Sequence, residues 1–132
     1  MKNTISSILF LLFIHTAIGQ NSSLKQSDLI GCWKHYPEES ELFDDMTVYR
    51  PCNNESFPNK WAMRARNQMN FNADGKCNYL RIGPTDINSM KPGKWILDSS
   101  TKEVAIFDLE MNLIRKFEIV RLEKELLGVR SK

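Results

Sequence analysis

The sequence predicts an all-β domain, a small antiparallel up-and-down β-barrel of about eight strands. Three observations predict it. Short stretches rich in β-branched and aromatic residues recur at regular spacing along the chain. Clusters of Gly, Pro, Asn, Asp and Ser separate them. Beyond the N-terminal apolar run, no stretch sustains a long 3.6-residue period. Short sequential connections favour hairpin-paired neighbours, and closure removes the sheet edges that invite aggregation. A chain of 132 residues has room for one such domain.

The N-terminus has its own pattern. Met1-Lys2-Asn3-Thr4 is a short basic start, Ile5 to Ile14 is apolar, and small Ala17 and Gly19 stand at the −3 and −1 positions of a cut after Gly19. These three parts are those of a secretory signal peptide over residues 1–19. An apolar run of about ten residues is too short for the ~20 that a spanning helix needs. The expectation is a secreted or periplasmic protein with no integral membrane span after signal cleavage. Cleavage removes Lys2 and leaves 113 residues with 17 basic and 16 acidic side chains. So even a balance argues against nucleic acid, whose binders carry a basic face or stripe.

Residues 20–27 are polar and read as a tether, and 28–132 as the barrel domain. Ser27 to Ile30 can cap one helical turn. Gly31 to Tyr36 alternates, with Cys32, Lys34 and Tyr36 on one face and Trp33 and His35 on the other. Pro37 to Asp45 is acidic and reads as a solvated loop, without the spacing or glycine of a calcium loop. Met46 to Arg50 is a strand ended by Pro51, and residues 51–60 are a loop by breaker content. Lys60 to Arg66 fits no single pattern. Asn67 to Asn72 and Cys77 to Ile82 form the clearest hairpin, turning at Ala73-Asp74-Gly75-Lys76, where Gly75 accepts a positive φ. After the breakers Gly83 to Asp86, strands follow at Gly93 to Asp98, Glu103 to Asp108, Leu113 to Arg121 and Leu126 to Val129.

Punctuation of this kind resembles the bacterial lipocalin-like (calycin-like) domain. Its opening Gly-x-Trp is matched by Gly31-Cys32-Trp33, its mid-chain hairpin by Phe71-Asn72-Ala73-Asp74-Gly75, and its second Gly-x-Trp by Gly93-Lys94-Trp95. A late strand, Phe117-Glu118-Ile119, and the ending Leu126-Leu127 complete a resemblance over residues 28–130. It implies a barrel, and with it a small apolar or amphipathic ligand. Fold alone does not fix function.

The candidate ligand-binding residues are Trp33, Trp61, Arg64, Arg66, Phe71, Arg81 and Trp95. The aromatic side chains either line a cavity or fill the barrel, since eight strands are just wide enough for both. The arginines either face out, paired with acids, or face in, where an unpaired charge demands an acceptor and could grip a carboxylate or phosphate.

No catalytic set can be named. His35 is the one histidine after the signal, and neither a Gly-x-Ser-x-Gly nor a His-Glu-x-x-His motif occurs. No cysteine pair has zinc-site spacing, so neither metal nor cofactor is expected. Cys32, Cys52 and Cys77 are disulfide candidates, and export makes a bridge chemically possible. An odd count leaves at least one unpaired within the chain, and all three pairings stay open. Three functions follow. The first is a non-enzymatic binding protein for a small ligand. The second is a protein-interaction or inhibitor module of the cell envelope with a filled barrel, docking through Phe57-Pro58 and Trp61. The third is an enzyme holding His35 beside a nucleophile.

Overall fold

The structure, a computed structural model, describes residues 23–53, 67–82 and 88–132. The signal peptide, the start of the tether, the loop 54–60, the stretch from Lys60 to Arg66 and the breakers Gly83 to Asp86 lie outside the described residues. So do Trp61, Arg64, Arg66 and the Phe57-Pro58 pair. No helix among the described residues is long and apolar enough to cross a membrane.

Eight strands close into an antiparallel barrel, as the sequence predicts. They are β1 (Gly31–His35), β2 (Thr47–Pro51), β3 (Gln68–Phe71), β4 (Lys76–Ile82), β5 (Asn88–Asp98), β6 (Glu103–Asp108), β7 (Leu113–Glu123) and β8 (Leu126–Ser131). From β3 to β8 the chain is a plain meander. The order then runs β8, β2, β1 and back to β3, so β1 is inserted between β2 and β3. Both are antiparallel to β1 and therefore parallel to each other. β2 ends and β3 begins at opposite ends of the barrel, and the connection between them is the longest between consecutive strands. A pure up-and-down order would have let a short turn serve.

The hairpin turn is where the pattern placed it. Gly75 sits at φ +81°, and the Asp74 carboxylate accepts the Lys76 N–H at 2.9 Å. β5 begins five residues earlier than its sequence suggests and runs through Pro92. The proline is tolerated because it lies beyond Gly93↔Asp108, the last β5–β6 pair, where β5 has a neighbour on one side only. Gly93 is required by packing: a Cβ there would strike the Phe107 carbonyl and come within 3.0 Å of the Tyr79 ring. Extra residues bulge β7 at Ile114 and at Val120, and such bulges bend a strand around a barrel.

Inward side chains form one contiguous buried cluster through Trp33, Tyr49, Met69, Phe71, Tyr79, Trp95, Ile106, Phe117 and Leu127. A 3-10 turn over Gln26–Leu29 tucks buried Leu29 beneath the barrel, and Leu24 packs against the same cluster. The latter half of the expected tether is thus part of the fold. Two indoles latch this lower end: Trp33 Nε1 donates to the Leu29 carbonyl and Trp95 Nε1 to the Asn72 carbonyl, each at 3.0 Å.

The acidic segment lies against the outside of the barrel. It opens with α1 (Pro37–Ser40), led by a proline whose missing N–H costs nothing in a first turn. Val48 is fully buried beneath it, and Met46 closes over Gly128. Glu39 makes a two-pronged pair with Arg50 at 2.7 and 2.8 Å, and Asp45 pairs with Arg130 at 2.7 Å. Cys32 and Cys52 form a disulfide with Cα atoms 5.4 Å apart, tying β1 to the end of β2, while Cys77 is free and buried.

Candidate functional site

The strand order gives the barrel two unlike ends. The lower end holds the β3–β4, β5–β6 and β7–β8 turns and is filled. The upper end, where β3, β5 and β7 begin, carries a pocket among the described residues. There β7 carries an arginine in an apolar phase: Arg115 pairs with buried Ile106 and alternates with buried Phe117 and Ile119. It therefore points across the barrel mouth. Its Nη1 donates to Asn67 Oδ1 at 2.9 Å, and Asn67 leads into β3, which stands opposite β7 in the strand order. Asn67 Nδ2 donates in turn to the Tyr49 hydroxyl at 3.2 Å. Arg115, Asn67 and Tyr49 thus form a polar bridge from one wall to the other, roofing the apolar interior.

An open pocket of about 500 Å³ lies at this bridge. Asn67, Tyr79, Leu80, Arg81, Asp108, Leu113, Ile114 and Arg115 line it among the described residues. Arg115 is half-buried and Arg81 exposed, and no described carboxylate lies within ion-pair distance of either. Asp108 is nearby but occupied: its carboxylate accepts the backbone N–H groups of Glu110 and Asn112 at 3.0 and 2.8 Å and the Asn112 amide at 3.1 Å. The hydrogen bonds from Asn112 hold its carboxyl below the ordinary range, with Arg81 adding to the effect. Burial raises the Tyr49 phenol, against the pull of the Arg115 charge. Burial also raises that of Tyr79.

Of the sequence-predicted residues, Trp33, Phe71 and Trp95 fill the barrel, with Phe71 and Trp95 ring centres 4.7 Å apart. Arg81 reaches the open pocket. Arg115, Asn67 and Tyr49 were not singled out. Arg115 had a signal, an arginine in phase with Phe117 and Ile119 on an otherwise apolar strand face. The contacts of Asn67 and Tyr49 had none, being set by strand order.

His35 stands at the same end, its ring 5.5 Å from that of Tyr49 and its Nε2 3.3 Å from Ser40 Oγ. Ser40 is no activated nucleophile: its hydroxyl donates to the Tyr36 carbonyl at 3.0 Å and accepts the Val48 N–H at 2.9 Å. Cys32 and Cys52 are consumed by their bridge. Burial pushes the Cys77 thiol up to about 11, away from the reactive thiolate. No group of His, Cys, Asp and Glu suited to a metal ion occurs among the described residues.

Two further grooves lie low on the barrel. One, of about 420 Å³, is lined by side chains of both signs, including an Arg121–Glu123 pair at 2.7 Å. The other, of about 390 Å³, runs beside the disulfide.

Fold and site together define a class: a small closed antiparallel barrel with a buried apolar core and, at its upper end, a pocket lined by two arginines among the described residues. No family model, curated protein or solved structure matches the chain.

Proposed function

We propose that this chain is an exported, non-enzymatic binding protein of the lipocalin-like kind, taking a small amphipathic ligand at the upper end of its barrel. One observation carries the reading: a polar bridge crosses the mouth above a filled apolar core, with an open pocket of ligand size beside it. The order Gly31-Cys32-Trp33, Phe71 to Gly75 and Gly93-Lys94-Trp95 supports the lipocalin-like assignment. Both tryptophans latch the closed end, a role that suits motifs kept at a fixed spacing. The signal-like N-terminus and the Cys32–Cys52 bridge support a secreted or periplasmic location, because disulfides persist in oxidising compartments.

Native mass spectrometry of the purified chain tests the proposal. A small-molecule adduct, or saturable uptake of an added amphiphile, is the expected result. A bare mass that no amphiphile changes would sink it. A second reading is favoured by a specific feature: Leu109, Met111 and Leu113 are 62%, 53% and 56% exposed on the β6–β7 turn. They would suit an interaction or inhibitor module of the cell envelope with a filled barrel. The same bare mass is the outcome that module requires.

A further inference from the structure

We infer that the ligand is an oxyanion with an apolar tail, bound with its head on Arg115 and its tail directed out of the barrel over the β6–β7 turn. This rests on the small-ligand reading above and specifies the chemistry of that site.

The head follows from unspent donors. A guanidinium offers five N–H groups, and the described contacts of Arg115 use one of them, on Asn67. No buried side-chain nitrogen or oxygen among the described residues lacks a partner, so the Arg115 nitrogens that bond no protein group are open to solvent, and Arg115 lines the pocket. Tyr49 accepts from Asn67, which leaves its phenolic proton to donate at the same place. Arg81 supplies a second cation on the pocket wall, while the facing carboxylate of Asp108 is held by its own turn. A half-buried cation with no described carboxylate in ion-pair reach is a receptor for one, and charge-assisted hydrogen bonds to a carboxylate or phosphate are the strong ones.

The tail follows from what is filled. Beneath the bridge, Ile106 and Phe117 are buried members of the core cluster, so an alkyl chain is directed outward. Outward, Leu113 and Ile114 line the pocket and stay exposed, with Leu109 and Met111 continuing the apolar surface along the turn. The turn holds its shape: Met111 sits at φ +65°, and its N–H donates to the Asp108 carbonyl at 3.1 Å. An apolar side chain in a conformation usually left to Gly or Asn is thereby presented to solvent. Binding here is shallow and head-down, the inverse of an apolar body sunk in a calyx.

Isothermal titration of the purified full chain with monomeric decanoate, decyl phosphate, decanol and acetate tests this. Decanoate or decyl phosphate should bind about tenfold or more tightly than decanol, the worth of a charged hydrogen bond, and acetate should bind far more weakly than decanoate. A preference for one of the two headgroups tells carboxylate from phosphate. Asn67→Asp is the sharper variant, because it keeps the bridge and hands Arg115 an internal carboxylate. It should abolish the preference for decanoate over decanol without lowering the melting temperature. Arg115→Gln should abolish the same preference, and if it fails to fold, Asn67→Asp still decides. Decanol equal to decanoate would overturn the anionic head while leaving the small-ligand reading intact. Acetate equal to decanoate would overturn the outward tail. A preference undiminished in Asn67→Asp would remove Arg115 from the site. Binding of none of the four would overturn the small-ligand reading itself.

Discussion

The lower and upper ends of this barrel use the same eight strands to opposite purposes. Below, the buried side chains among the described residues are apolar apart from the Cys77 thiol, and two indole nitrogens are satisfied by backbone carbonyls. Above, an arginine, an asparagine and a tyrosine take the inward positions and satisfy one another only in part. Stability concentrates where polar groups are absent or fully paired, and binding capacity where they are not.

The contrast can be broken most severely from below. Phe117→Ala removes a buried side chain from the middle of the core and should cost about 3–5 kcal/mol in urea unfolding. If the midpoint moved no more than for a surface change, the interior would not be packed as described. The disulfide comes next. It closes a loop of sequence separation 20 across β1 and β2, and its reduction should lower stability by about 3 kcal/mol, read as a shift in unfolding midpoint with and without reductant. Trp33→Phe keeps most of the apolar volume but leaves the Leu29 carbonyl without its donor. The loss should be about 1–2 kcal/mol, with faster amide exchange over Gln26–Leu29. At the upper end, Leu113→Ser should change stability by no more than about 0.5 kcal/mol, since the side chain is already exposed.

A separate effect is one of pH. The Cys77 thiol, 2% exposed, is raised from the usual 9.0 to about 11. The native chain therefore keeps its proton where the unfolded chain has lost it, and stability should fall as pH rises from about 9 toward 11. Cys77→Ala should flatten that slope. A thiol reagent at pH 8 should label the native chain at Cys77 far more slowly than the unfolded one.

The barrel was legible because its signals are local. Ala73-Asp74-Gly75-Lys76 specifies its turn through one flexible residue and one carboxylate, and Glu103 to Phe107 alternates in burial, with Val104 and Ile106 inward. Pro92 concealed the first half of β5, because a proline is read as a break unless one knows that the neighbouring strand has already ended. The insertion of β1 between β2 and β3 left no trace in any short window. The β1–β2 register brings Cys32 to Cys52, and the insertion places His35 of β1 between Tyr49 and Asn67. The site was therefore the least legible part. Arg81 could be picked out as a cation on a strand, but Arg115 gains its meaning from residues 48 and 66 positions away.

That inserted strand also makes β1 and β2 a detachable clasp. Without it, β3 to β8 would form a six-stranded curl with two raw rims, one along β3 and one along β8, each offering unclaimed backbone groups to any passing chain. Removal of the chain through Pro51, which takes both strands of the clasp, should thus yield polymer in place of a smaller barrel.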